Sequence, residues 1–195
     1  TRICGSEYSD YVSKISTNFW LCLAARGLNP GCKCDILFIL EGPQGIKKNL
    51  LLKTIGGAWH KEMRDSMTTK DFVHGLQGAW VASLSELAAM KSSRDLEMIK
   101  SIITTDTDDY RPPYSRYFVK KPRQSVFCGS TNEQCYLEDT TGNRRFWPIK
   151  VTKIDIEAAE RDVDQCVAEA VFRVKSGQPW WEPPPGLDAA VNERL

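Results

Sequence analysis

Apolar and polar positions divide the chain into helical stretches alternating with short apolar runs. Tyr11, Val12, Ile15, Phe19 and Leu23 keep helical spacing, which predicts a helix from Tyr8 to Arg26. Asn29-Pro30-Gly31 is a turn, and Cys34 to Leu40 reads as a buried strand. A helix from Lys47 or Lys48 to about Ile55 follows, stopped by Gly56-Gly57. Thr68 or Thr69 is placed to cap a short helix ending near Gly75. Trp80 to Leu84 is a second short buried strand. Leu87 to Met90 and Arg94 to Thr104 read as helical, the latter with Leu96, Ile99 and Ile103 on one face.

Tyr117 to Val119, Ser125 to Cys128 and Phe146 to Val151 read as strands, and Pro148 favours an edge position for the last. Ile156 to Val174 is an amphipathic helix. Pro179 to Pro185, with two tryptophans and three successive prolines, cannot continue a helix or a central strand. The expected organisation is therefore one domain over residues 1–180 and a Pro-rich arm or linker over 181–195. Strands alternating with helices argue for an α/β fold with a largely parallel central sheet flanked by helices.

Composition narrows this only a little. The 195 residues suffice for one sizeable core. With 26 Lys+Arg against 25 Asp+Glu, overall charge says nothing about nucleic acid, and only local clustering can. No apolar run approaches a membrane span of about 18 residues. The first residue is Thr, which reads as a piece of a longer protein. Seven scattered cysteines suit a reducing cytoplasm better than a disulfide framework. Cys32-Lys33-Cys34 has no second pair at zinc spacing, and His60 and His74 have no metal or catalytic arrangement around them.

The candidate chemistry sits between the first strand and the helix after it: Gly42-Pro43-Gln44-Gly45-Ile46-Lys47-Lys48-Asn49. A strand, a glycine-bearing loop and a helix with a lysine at its start make a phosphate cradle. Backbone N–H groups face the phosphate oxygens and the lysine reaches the outer phosphates. Gly42 and Lys48 meet the Walker A spacing. Lys47 stands where a glycine is expected, and Asn49 where a hydroxyl would reach Mg²⁺. The competing reading is a helix-capping glycine turn with surface lysines. Trp80 to Leu84 followed by Ser85-Glu86 has the form of a strand ending in an acid that holds Mg²⁺ or activates water. A lone glutamate at a helix start also serves simply as a dipole partner.

Several ordered segments resemble the virulence-associated protein E family. They include Pro30-Gly31-Cys32-Lys33, Leu40 to Gly45, Gly78-Ala79-Trp80, Asp109-Tyr110-Arg111-Pro112-Pro113-Tyr114, Pro122-Arg123-Gln124, Gly129-Ser130-Thr131-Asn132-Glu133, Thr141 to Pro148 and Gln165 to Ala170. The resemblance spans about Thr17 to Trp181. It implies a P-loop NTPase domain similar to superfamily 3 helicases and the AAA+ fold, using ATP and Mg²⁺ in replication of a phage or mobile element. It further implies that Gly42 to Asn49 is the phosphate loop and that Ser83 to Glu86 is the Walker B region. Asn132 is then the sensor residue orienting the attacking water, and Arg144 or Arg145 an arginine finger or sensor arginine serving a neighbouring subunit.

Asn49 and Glu86 would be the metal ligands. The implied partners are single-stranded or forked DNA, a homo-oligomeric, hexameric ring and replication proteins such as a primase-like domain, with no membrane. Lys47, Asn49 and Ser83 (where the family has a glutamate) depart from the pattern, and all three departures fall on phosphate and metal chemistry. They lead to the expectation of poor or absent hydrolysis.

Arg111, Arg116, Lys120, Lys121 and Arg123 lie within thirteen residues that contain no acid, interleaved with Tyr110, Tyr114, Tyr117 and Phe118. Cations with aromatics are what a single strand asks for. Pro112-Pro113-Tyr114-Ser115 can form a turn, and the resemblance implies a DNA-gripping hairpin there. The competing reading is a solvated basic strand with its tyrosines in the core. At the level of function the readings are an ATP-driven helicase domain, a catalytically degenerate DNA-binding or scaffold module of the same fold, and, least supported, a nucleotidyl or phosphoryl transferase.

Overall fold

The computed structural model describes residues 2–63, 70–84, 93–112, 114–133, 135–137 and 142–195. Helix α1 spans Asp10–Leu28. It begins two residues later than its apolar spacing predicts because the Ser9 hydroxyl accepts from the Val12 N–H and caps it there. Strand β1 (Leu37–Glu41) is buried throughout, as a parallel strand covered on both faces must be. Helix α2 (Lys48–Gly56), β2 (His60–Met63), α3 (Lys70–Gly75), β3 (Val81–Leu84) and α4 (Ser93–Thr104) follow. Then come β4 (Thr107–Tyr110), β5 (Val119–Pro122), β6 (Val126–Thr131), β7 (Phe146–Lys150), α5 (Ile156–Lys175) and α6 (Leu187–Asn192).

The main sheet has the order β2-β3-β6-β1-β7, and every pairing in it is parallel. The protein is thus an α/β fold with a parallel central sheet flanked by helices. Pro148 sits on the edge strand β7, where its missing N–H costs no ladder bond. Phe19 of α1 packs edge-on to Phe38 of β1, and Phe38 edge-on to the buried Trp147 of β7, so one aromatic row ties helix to sheet. Helices α1 and α2 both pack on α5.

The polar strands β2 and β4 carry no apolar period and escape a reading based on one. Strands β4 and β5 form a separate antiparallel hairpin, with Tyr110 paired to Val119. The strand expected from Tyr117 starts instead at Val119, where its pairing with Tyr110 begins, and Tyr117 and Phe118 stand exposed at the hairpin tip. The helix expected over Leu87 to Met90 and the caps at Thr68 or Thr69 lie outside the described residues.

Residues 179–195 pack onto the domain rather than leaving it. The Trp180 indole donates to the Lys33 carbonyl at 2.7 Å, and the Asn18 amide donates to the Glu182 carbonyl at 2.8 Å. Helix α6 lies against β7. These contacts hold the segment after residue 178 against α1, the Lys33 main chain and β7. Among the described residues no helix is long and apolar enough to cross a membrane.

Candidate nucleotide site and hairpin

The loop of residues 42–47 joins the carboxyl end of β1 to α2. Its backbone is pinned on both sides: Gly42 N–H donates to the Thr131 carbonyl at 3.1 Å, and Val151 N–H to the Glu41 carbonyl at 2.7 Å. A Cβ on Gly42 would lie 2.2 Å from the Val151 carbonyl oxygen, so only glycine fits between the ends of β6 and β7. The Lys48 ammonium turns back over the loop and donates to the carbonyls of Gly42 (2.6 Å) and Pro43 (2.8 Å). Partial burial pulls its pKa below the ordinary lysine value.

Lys47 adopts φ 72° and ψ 29°, the left-handed conformation, and its side chain makes no capping bond to α2. The position thus keeps a glycine's conformation without a glycine. Such a conformation costs a non-glycine residue about 1 kcal/mol. Lys47 is exposed, so Lys47→Gly loses no packing and is expected to stabilise the fold by about that much, raising the melting temperature by roughly 2–4 °C. A thermal unfolding curve that does not move would mean that the surrounding loop already relieves this strain.

Beside the loop stands the end of β6. Register places Thr131 next to Glu41, so Asn132, one residue beyond and exposed, stands level with Gly42. The structure brings Asn132 and the loop together, in the crevice beyond the strand ends where the chain turns to opposite sides of β1. Asn49, at the second position of α2, is already engaged: the Ser130 hydroxyl donates to its Oδ1 at 2.8 Å. Nothing in the local sequence marks Ser130 as this partner.

Ser83 lies lower in the sheet than the loop. It is buried on β3, in register with Cys128 of β6 and hence with Phe38 of β1, three residues short of Glu41. At about 3.3 Å per residue that is roughly 10 Å below the loop. Its hydroxyl pairs with His60 Nε2 at 2.9 Å, and burial holds the imidazole below its ordinary pKa. Ser83 thus stands below the level of the loop, with its hydroxyl taken up by His60. Glu86 lies outside the described residues.

Arg144 and Arg145 belong to a 3₁₀ turn (Asn143–Arg145) leading into β7, whose Phe146 pairs with Leu37 at the start of β1. Four residues of strand, about 13 Å, separate that level from Glu41. Both arginines thus lie at the end of the sheet opposite the loop, and neither reaches the loop of its own chain. The Arg145 guanidinium also donates to Thr104 Oγ1 at 3.1 Å.

The described residues fit a phosphate group. The tight Gly42 backbone, the uncapped start of α2 and the Lys48 ammonium all converge on one loop. Of the two residues implied as magnesium ligands, Asn49 has one lone pair of its Oδ1 taken by the Ser130 hydroxyl, and Glu86 lies outside the described residues.

The hairpin bears the basic cluster. Arg111, Arg116, Lys120 and Lys121 are exposed, and Tyr114, Tyr117 and Phe118 are among the most exposed aromatics of the protein. The alternative that buries these tyrosines does not hold. Ser115 N–H donates to the Pro112 carbonyl at 3.0 Å, closing the expected turn, with Tyr114 at φ 64°. Arg123 does not belong with the others. It is buried, forks onto Asp108 of β4, donates to the Ile102 carbonyl and lies over the Phe127 ring. A guanidinium so engaged is not available to a phosphate. Across the hairpin Asp109 stands opposite Lys120, an acid that the linear spacing of the basic cluster conceals.

The sequence profile of the virulence-associated protein E-like domain matches residues 1–194. The chain belongs to this family. Among curated proteins none matches it. Solved structures similar to this virulence-associated protein E-like domain include the apo structure of the NrS-1 C-terminal region, at 18% identity and a TM-score of 0.54, covering 99% of this chain and 47% of that one. An A-form apo structure of the same region aligns at 18% identity and a TM-score of 0.62, covering 96% and 48%. The domain therefore spans about half the length of these structures, and at such identities the likeness shows the fold alone.

Proposed function

We propose that this virulence-associated protein E-like domain binds ATP through a P-loop of the superfamily 3 helicase and AAA+ kind, and serves DNA replication of a phage or mobile element. The observation that carries the reading is the loop from Gly42 to Asn49. It lies at the carboxyl end of β1, with Lys48 folded over it and Asn132 level with it at the end of β6. Bound there, ATP would present its phosphates to the loop N–H groups, the start of α2 and the Lys48 ammonium. Arg144 and Arg145 lie at the far end of the sheet from the loop of their own chain, and that separation supports the part of the reading in which they act in trans, in a ring. Calorimetric titration of the protein with ATP tests the reading, and the absence of binding at millimolar ATP would remove it.

A second reading, a catalytically degenerate binding module of the same fold, is favoured by one contact: the Ser130–Asn49 bond occupies the position of the magnesium ligand. It requires ATP affinity that is the same in Mg²⁺ and in EDTA, and no phosphate release. Affinity that rises tenfold or more with Mg²⁺ would exclude it.

The hairpin is proposed to grip single-stranded DNA, its exposed aromatics stacking on bases and its four exposed cations meeting phosphates. Lys120→Glu with Lys121→Glu is expected to weaken binding to an oligothymidylate and to flatten the salt dependence by about 1.4 in log–log slope, near 0.7 per lost contact. An unchanged slope would take these lysines out of the interface.

A further inference from the structure

Arg194 lies in the segment first read as an arm, yet it is among the most buried charged residues. Its Nε donates to Glu41 Oε1 at 2.8 Å and its Nη2 to Glu41 Oε2 at 2.7 Å, a two-point fork on the last residue of β1. The Tyr136 hydroxyl donates to the same Oε1 at 2.7 Å. The main chain closes the arrangement, because the N–H groups of Tyr136 and Leu137 donate to the Arg194 carbonyl at 3.2 and 3.0 Å. One residue thus holds the start of the phosphate loop with its side chain and the segment after β6 with its backbone. Those are the two walls of the crevice in which Gly42 and Asn132 face each other.

A buried ion pair contributes little net stability compared with apolar residues of the same shape. The location of this one is informative instead. Glu41 directly precedes Gly42, so an unpaired carboxylate there would lie close beneath the phosphates of a bound nucleotide. We propose that Arg194 is a positioning residue of the nucleotide site, holding together the loops after β1 and β6 and masking the Glu41 carboxylate from the phosphates. This rests on the ATP reading above. Burial, and next the Glu41 charge, push the Tyr136 phenol far above its ordinary pKa, so it remains a donor to that carboxylate.

The test is ATP titration of the whole chain as wild type, Arg194→Gln, Glu41→Gln and the double variant, at low and high salt, with nucleotide-free melting curves recorded in parallel. For one charge roughly 10 Å from a phosphate, near the protein surface, the effect is about tenfold in affinity. Arg194→Gln should therefore bind about tenfold more weakly at low salt. Glu41→Gln, which leaves the arginine charge opposed only by the exposed Glu193 carboxylate, should bind several-fold more tightly, and the double variant should return toward wild type. High salt should shrink all three differences. A purely structural role gives the opposite pattern, with all three variants binding more weakly in step with their melting temperatures, and overturns the proposal. Should Arg194→Gln fail to fold, Glu41→Gln decides alone: affinity equal to or below wild type overturns it. A wild-type protein that binds no ATP overturns the nucleotide reading and this proposal together, whereas wild-type binding with the wrong sign in Glu41→Gln overturns this proposal only.

Discussion

Lys48→Ala is expected to lower ATP affinity about a hundredfold while moving the melting temperature by no more than about 2 °C. Among the described residues the Lys48 ammonium has no acidic partner. It rests on two carbonyls of its own loop, Gly42 and Pro43. Those carbonyls lie at the surface of the loop, so without the lysine they turn to water, and the fold loses little. A bound phosphate loses a charge-assisted contact worth about 1.5–3 kcal/mol together with the local positive field. Lys48→Arg is not expected to restore it, since a planar fork does not fit where a compact ammonium bridges two carbonyls. Calorimetric titration and thermal unfolding on the same preparation separate the two effects. If Lys48→Ala bound ATP as wild type does, the nucleotide would have to sit elsewhere and the loop would revert to a helix-capping turn.

Arg123→Ala is expected to destabilise the protein by about 3–5 kcal/mol, an effect on folding rather than on nucleic acid. Asp108 would be left as a buried unpaired carboxylate, the Ile102 carbonyl would lose a donor, and the Phe127 ring would lose the guanidinium over it. The Arg123 main chain is itself a junction. Its carbonyl accepts from Gly31 N–H at 2.9 Å and from the buried Arg26 guanidinium at 2.8 Å, and its N–H donates to Asp106. Through this junction the base of the β4–β5 hairpin is tied to the end of α4 and the end of α1. Asp108→Leu combined with Arg123→Met removes both charges at similar volume and should recover most of the loss. Urea unfolding of the two singles and the double measures this. A single Arg123→Ala variant within 1 kcal/mol of wild type would mean that the pair is solvated and that Arg123 is free to meet phosphate after all.

Both outcomes bear on how far the chain can be read before it is folded. The loop proposed to hold phosphate is a local object: a buried strand, two glycines and a lysine within residues 37–48. The helix α1, the strand β1 and the edge position of Pro148 are equally local, since each depends on spacing or on one residue's missing N–H. The hairpin was legible only in part. Its turn at Pro112 to Ser115 and its exposed cations follow from composition, but in the linear chain Arg123 is indistinguishable from Lys120 or Lys121. What separates them is Asp108: it stands opposite Lys121 in the β4–β5 ladder, yet its buried carboxylate is taken by the Arg123 guanidinium, a contact that exists only once the hairpin has formed.

The same distinction runs through the site. The chain by itself determined that a glycine-bearing loop with a lysine follows a buried strand in an α/β domain, because strand, glycine turn and helix start are set by neighbours in sequence. Tertiary structure alone decided which side chains share that loop's surroundings. Parallel register set Asn132 level with Gly42, left Ser83 roughly 10 Å short of it, and put Arg144 and Arg145 at the opposite end of the sheet. It also brought Arg194 onto Glu41 across 153 positions. Periodicity reports which face of an element is buried. It carries no information about how far one strand slides along the next, or where a distant segment comes to rest, and on these depend the charges that a nucleotide at Lys48 would meet.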